Sequence, residues 1–136
     1  VKKSESVLDI GSGSGWTTAL LGVQVGSMGS VTGLERQQRL VEFGRKNISK
    51  FSNLPIQIQQ ASSKIGLPGQ FFDKILVSAA AQDVPEALIQ QLKPRGCLVI
   101  PIQNDIYIIK KSEKNTYTTD YLRGFSFVPL ILEDSF

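Results

Sequence analysis

Short apolar runs alternate with longer amphipathic segments over the first hundred residues of the chain. The predicted strands are 6–10, 30–35, 56–59, 72–78 and 97–102, and the predicted helices are 16–25, 37–51 and 85–92. In the second helix, Leu40, Gly44, Ile48 and Phe51 have the spacing of one helical face. Strands and helices therefore alternate, with one long loop at 61–70.

The alternation of strands and helices ends with the strand at 97–102. Residues 93–96, Lys-Pro-Arg-Gly, are predicted to end the third helix before the strand at 97–102. The segments 106–109, 116–121 and 125–130 are strand-like and have only short polar turns between them, which predicts an antiparallel edge. We therefore predict a single domain over residues 1–136, a doubly wound α/β fold with a mostly parallel sheet. Ligands of such sheets bind at the carboxyl ends of the strands.

Composition narrows the possible functions. The 136 residues include no histidine and one cysteine, Cys97, so we expect no metal cluster, no Ser-His-Asp triad and no Cys-His pair. No apolar run approaches the ~20 residues of a membrane span, and the first residues lack an export signal. The net charge of +3 comes from basic residues mixed with acidic ones. We expect a cytoplasmic monomer without nucleic-acid or membrane partners.

A glycine turn follows the first predicted strand. Asp9 is followed by Gly11, Gly13 and Gly15 at every second position, where missing Cβ atoms let a ligand lie against the backbone. A dinucleotide-binding G-x-G-x-x-G motif would need glycine at Trp16. The Asp9 carboxylate beside the turn would repel a pyrophosphate and would accept an ammonium group. The turn therefore favours a cationic ligand over NAD.

Glu35 ends the second predicted strand, where an acidic side chain can accept both ribose hydroxyls of a nucleoside. This feature alone fits NAD and S-adenosylmethionine equally well. Together with the glycine turn it favours S-adenosylmethionine, which is positively charged and has no phosphate. The alternative is a purely structural turn with a solvated Glu35.

Small residues follow the fourth predicted strand, where class I methyltransferases place residues that face the methyl acceptor. They are Ser78, Ala79, Ala80 and Ala81. Small side chains at this position also suit close helix packing, and both roles can hold together.

The chain resembles the protein-L-isoaspartate O-methyltransferases from Val7 to Ile131. The resemblance rests on the glycine turn with Thr17-Thr18-Ala19 and on Val41-Glu42-Phe43, Ala79-Ala80-Ala81, Gln91-Leu92-Lys93-Pro94, Val99-Ile100-Pro101 and Gly124 with Phe127-Val128-Pro129-Leu130. It implies a Rossmann-like enzyme that transfers a methyl group from S-adenosylmethionine to the α-carboxyl of L-isoaspartyl residues in damaged proteins. Since that carboxylate is ionised at neutral pH, the reaction needs alignment more than a base.

The resemblance also implies roles for particular residues. Ala61 and Ser62 stand where the family has Gly-Asp-Gly beside the adenine, so Ser62 would be a weaker contact, at a cost of about 1.5–3 kcal/mol. The resemblance assigns Ser78, Ala79 and Ala80 to substrate binding, together with Val128 and Pro129. A proline that protects an edge strand would explain Pro129 equally well.

The family has an N-terminal segment with a catalytic serine, which these 136 residues do not include. The catalytic residues are therefore unknown, and the sequence fits a fragment of a longer enzyme better than a degenerate relative. The alternatives are a methyltransferase with another small acceptor, or a non-catalytic binding or scaffold domain.

Overall fold

Seven strands form one mixed sheet in the computed structural model, which describes residues 1–124 and 130. The elements in chain order are β1 (Ser6–Ile10), α1 (Trp16–Val25), β2 (Ser30–Glu35), α2 (Gln38–Ile48) with a 3-10 turn (Ser49–Phe51), β3 (Ile56–Gln60), β4 (Phe72–Val77), α3 (Glu86–Gln90), β5 (Leu92–Ile102), β6 (Asp105–Lys111) and β7 (Tyr117–Arg123). The strand order is β3-β2-β1-β4-β5-β6-β7.

The sheet is parallel from β3 to β5 and antiparallel from β5 to β7. The chain winds outward from β1 through β2 to β3, and then returns to the other side of β1 as β4. The order therefore reverses between β1 and β4, which is where ligands bind in open α/β sheets. This confirms the predicted doubly wound fold with antiparallel C-terminal strands.

Both faces of the sheet are covered by apolar packing near β1. Neighbouring residues of this strand point to opposite faces, and Val7 and Leu8 lie in different apolar clusters. Val7 packs with α1, where Leu21 and Val25 are buried. Leu8 lies on the opposite face, in the larger core, which includes Ile75 and the α3 residue Leu88. Helix packing on both faces makes the carboxyl edge of the parallel strands the accessible part of this region.

Two predicted helices are shorter in the structure. The second helix ends at Ile48. Of the predicted face, Gly44 and Ile48 are buried and Leu40 is half-buried, whereas Phe51 is exposed in the 3-10 turn. The third helix is shorter than predicted, at Glu86–Gln90. The 125–130 strand prediction lies outside the described residues except for Leu130.

Residues 93–96 belong to β5, which corrects the prediction that they end the third helix and precede the strand. Phe72 pairs with Leu92, and the next pair is Lys74 with Cys97, so the extra residues of β5 form an irregularity in the pairing. Arg95 has a φ of 67° there. Pairing with β4 extends the strand through a sequence that favours a turn. In the part of the chain that the structure describes, no helix is long and apolar enough to span a membrane.

Candidate functional site

The glycine turn lies at the carboxyl edge of the sheet, beside the reversal in strand order. The Ser78 amide donates a hydrogen bond to the Ile10 carbonyl, at 3.0 Å. A Cβ on Gly11 would stand 3.7 Å from Ser78 Cβ. The structure therefore brings the predicted cofactor turn and the predicted acceptor residues next to each other.

The turn is held in place by β2. The amides of Gly11 and Ser12 both donate to the Leu34 carbonyl, at 2.8 and 3.0 Å. Gly13 donates its amide to Glu35 Oε1 at 3.2 Å. Three successive amides thus point at β2, so the conformation of the turn depends on the neighbouring strand.

Two glycines of the turn are required for different reasons. Gly15 has a φ of 87°, and a Cβ there would lie 2.9 Å from Ile48 Cγ2 and 3.1 Å from the Gly44 oxygen. Gly13 also has a positive φ, of 53°, yet a Cβ there would meet nothing within 4 Å. Gly15 is therefore needed for packing, whereas Gly13 keeps open space above the turn, where a ligand could lie.

Helix α1 begins directly after the turn. Its N-cap residue, Gly15, offers no side-chain hydrogen bond, so the first amides of the helix are free to bind an anionic group. The turn can thus meet a negative group at α1 and a hydroxyl group at Glu35.

Glu35 is buried at the end of β2, with 8% of its surface exposed. Its Oε1 accepts the Gly13 amide, and its Oε2 accepts the Gln37 amide at 2.8 Å. A carboxylate oxygen can accept more than one hydrogen bond. Glu35 can therefore hold the turn and still accept ribose hydroxyls, and it is not the solvated residue of the structural alternative.

Asp9, which directly precedes the turn, is fully buried. Its Oδ2 accepts a hydrogen bond of 2.7 Å from the Thr18 hydroxyl, which is also buried. Burial raises the pKa of Asp9 from 3.8 to about 6, and the Thr18 hydrogen bond lowers it in part. Burial thus disfavours the ionised form of Asp9 unless a positively charged group lies close to it.

Two buried oxygen atoms in this region have no hydrogen-bond partner among the described residues, namely Asp9 Oδ1 and Ser12 Oγ. Ser12 Cβ and Thr18 Oγ1 each lie 2.9 Å from the point where a Cβ on Gly33 would stand. Gly33 therefore makes room for a polar cluster of Asp9, Ser12 and Thr18. The sequence prediction did not assign a role to Thr18, because nothing local indicates that it faces Asp9.

The loop 61–70 starts beside Glu35, whose carbonyl accepts the Ala61 amide at 2.8 Å. Ala61 is half-buried and Ser62 is exposed. Among the described residues, the Ser62 hydroxyl makes two long hydrogen bonds, both with Lys64: it donates to Lys64 O at 3.4 Å and accepts from Lys64 N at 3.3 Å. Both predicted adenine contacts thus lie at the same edge as Glu35, and Ser62 is free to turn toward a ligand.

The predicted acceptor residues follow β4 on the opposite side of the turn. Ser78 is exposed, and Ala79 and Ala80 are half-buried. The Ala80 carbonyl accepts the Leu130 amide at 2.5 Å. The other two predicted substrate residues, Val128 and Pro129, lie outside the described residues.

The buried carboxyl of Asp9 gives a prediction about stability. Because its pKa is raised in the folded state, the contribution of Asp9 is favourable below about pH 4 and is lost as the pH rises through about 6. Asp9→Asn should remove this dependence, a change of about 2.5 kcal/mol between pH 4 and pH 8. Urea unfolding of both proteins across this range measures it, with Asp120→Asn as an exposed control. A parallel pH dependence of wild type and Asp9→Asn would contradict the assignment.

The sequence was compared with protein families. The family described as "Protein-L-isoaspartate(D-aspartate) O-methyltransferase (PCMT)" has a sequence model that matches residues 1–135. The chain belongs to this family. The match includes every site residue described above and confirms the family resemblance predicted from the sequence.

Curated members of the protein-L-isoaspartate O-methyltransferase family are similar over almost the whole chain. The enzyme of that name from Methanopyrus kandleri is 34% identical over 141 residues, which is 99% of this chain and 62% of the relative. The one from Christiangramia forsetii is 39% identical over 142 residues, or 98% and 63% of the two chains. The chain thus spans about three fifths of the length of these family members.

Solved structures of the protein-L-isoaspartate O-methyltransferase family have the same fold. A crystal structure from Plasmodium falciparum, in complex with S-adenosyl-L-homocysteine, has a TM-score of 0.83 and 30% identity. The similar region covers 96% of this chain and 67% of the Plasmodium falciparum chain. A second structure of the same name has a TM-score of 0.85 at 24% identity, over 95% of this chain and 43% of that chain. The second likeness shows the fold alone.

Proposed function

We propose that the chain binds S-adenosylmethionine at the carboxyl edge of the sheet and transfers its methyl group to the α-carboxyl of L-isoaspartyl residues in damaged proteins. The observation that carries the proposal is the family match over residues 1–135. The Plasmodium falciparum relative, which is in complex with S-adenosyl-L-homocysteine, supports the choice of cofactor.

The residues at this edge suit the cofactor. Gly13 leaves open space above the turn, and Glu35 has a buried carboxylate suited to ribose hydroxyls. Asp9 Oδ1 is buried without a partner and can offset an ammonium charge. The first amides of α1 can donate hydrogen bonds to the carboxylate of the amino-acid part. These groups match a ligand with ribose, ammonium and carboxylate groups, without any need for phosphate binding.

When bound, S-adenosylmethionine supplies a methyl group on a positively charged sulfur that a nucleophile can attack. An isoaspartyl carboxylate with an ordinary pKa near ~4 is already ionised at neutral pH, so the chain does not need to remove a proton. Its residues need only align the two reactants. The small side chains of Ser78, Ala79 and Ala80 leave room for the carboxylate beside the glycine turn.

Ser62 weakens the proposed site relative to the family pattern, because it has no charged carboxylate to accept a hydrogen bond from the adenine amino group. Its hydroxyl can still accept one hydrogen bond, and its present bonds to Lys64 are long. We therefore expect the cofactor to bind in the micromolar range.

Titration calorimetry with S-adenosyl-L-homocysteine tests the cofactor, with NADH as the control ligand. We expect binding of the former alone. Labelled S-adenosylmethionine then tests the acceptor on an isoaspartyl peptide and on a matched aspartyl peptide. We expect labelling of the isoaspartyl peptide and none of the matched aspartyl peptide.

Each part of the proposal can fail separately. Failure to bind S-adenosyl-L-homocysteine would overturn the cofactor assignment. Equal labelling of both peptides would overturn the acceptor and favour a methyltransferase with another substrate. Binding with no transfer to either peptide would favour a non-catalytic binding domain.

A further inference from the structure

Gln91 is a buried polar residue that the proposed site does not use. It directly follows α3 and has 4% of its surface exposed. Its backbone is fixed at two points, since its amide donates to Leu88 O at 3.1 Å and its carbonyl accepts the Phe72 amide at 2.8 Å. The backbone of Gln91 is thus held between α3 and β4.

Both polar atoms of the Gln91 side chain bind the backbone of the loop 61–70. Its Nε2 donates to the Ile65 carbonyl at 3.1 Å, and its Oε1 accepts the Leu67 amide at 2.8 Å. Gly66, between these two residues, has a φ of 70°, and a Cβ there would press on the Gln91 side chain. The loop backbone is therefore shaped around this one amide.

Few other interactions hold the middle of this loop. Among the described residues, the other hydrogen bonds of 62–69 stay within the loop or its end, as in Lys64 N to Ser62 Oγ and Gln70 N to Leu67 O. Ile65 and Leu67 pack against the core, but apolar contacts alone fix a backbone less firmly. Gln91 thus supplies the directional part of the attachment.

The same loop begins at the proposed nucleoside position. The Ala61 amide binds the Glu35 carbonyl, and Ser62 is next in the chain. A nucleoside whose ribose lies on Glu35 would place its base along this part of the loop. Any movement of Ile65 and Leu67 would therefore displace the part of the loop 61–70 that lies beside the base.

We propose that Gln91 is a positioning residue of the cofactor site, which fixes the loop 61–70 as the wall beside the nucleoside base. The proposal rests on the proposed function, because it takes the ligand to be S-adenosylmethionine. Gln91 itself does not touch the ligand.

Gln91→Leu tests the proposal, with Gln90→Leu as the matched control on the exposed side of α3. Calorimetry would compare S-adenosyl-L-homocysteine with 5′-methylthioadenosine, which lacks the amino-acid part. We expect Gln91→Leu to weaken both ligands about tenfold, because the loss lies at the nucleoside end. Gln90→Leu should bind both as the wild type does. Hydrogen exchange at the Leu67 amide should become faster in Gln91→Leu alone.

The outcomes separate this proposal from the proposed function. If wild type binds neither ligand, the proposed function fails, and this role fails with it. If wild type binds and Gln91→Leu binds with unchanged affinity, only the role of Gln91 is overturned. Weakening of S-adenosyl-L-homocysteine alone would also overturn it, since the loss would then lie at the amino-acid end. Should Gln91→Leu not fold, Gln91→Glu at pH 8 carries the same test, because it keeps the volume and removes the donor to Ile65.

Discussion

Gly15→Ala is expected to lower the free energy of unfolding by about 4 kcal/mol, the sum of backbone strain and overpacking. The native φ of 87° disfavours any L side chain. The new methyl would also lie 2.9 Å from Ile48 Cγ2 and 3.1 Å from the Gly44 carbonyl oxygen. Ile48 can adjust, but the Gly44 oxygen is part of the α2 backbone and cannot. Urea or thermal unfolding measures the change.

Gly13→Ala is the matched control for this prediction. Its φ of 53° lies in the allowed left-handed region, and a methyl there would meet nothing within 4 Å. We expect a stability loss of only about 1–2 kcal/mol but at least a tenfold loss of S-adenosyl-L-homocysteine affinity, since the methyl would occupy the open space above the turn. Equal stability losses in the two variants would show that packing behind Gly15 does not require glycine.

Glu35→Ala is expected to lower the affinity for S-adenosyl-L-homocysteine ten- to hundredfold, which corresponds to about 1.4–2.8 kcal/mol. The variant loses the proposed acceptor of the ribose hydroxyls. It also frees the amides of Gly13 and Gln37, which bind the two carboxylate oxygens at 3.2 and 2.8 Å. The ligand thus loses a direct contact and an ordered turn together.

Calorimetry at a temperature where both proteins are folded measures the effect of Glu35→Ala. Glu42→Ala is the control, because Glu42 is an exposed acidic residue on α2. An unchanged dissociation constant in Glu35→Ala would remove the ribose assignment. A loss of the same size in Glu42→Ala would attribute the effect to overall charge.

The early strands and helices could be predicted because their signals are local. The boundaries of β1, α1 and β2 match the prediction, since short apolar runs and glycines mark their ends. The start of β5 could not be predicted in this way. Leu92 joins the strand because it pairs with Phe72, which is distant in sequence, and local turn preference at 93–96 is overridden.

The candidate site was predicted in part for the same reason. Glycine spacing and the position of Glu35 can be recognised along the chain, and the structure places them together. The burial of Asp9, its bond to Thr18 and the attachment of the loop by Gln91 depend on contacts between elements. No spacing rule indicates such contacts, so the sequence places Asp9 next to the turn but does not indicate that its carboxyl group is buried.

The hydrogen bonds from β2 to the glycine turn limit how this motif could be used in protein design. The turn takes its shape from the Leu34 carbonyl and the Glu35 carboxylate, and the space behind Gly15 is bounded by Ile48 and Ile58. A graft of residues 9–15 onto another scaffold would carry the glycines without the groups that orient them. The smallest portable form of the turn is therefore the continuous stretch from β1 to β3, residues 6–60.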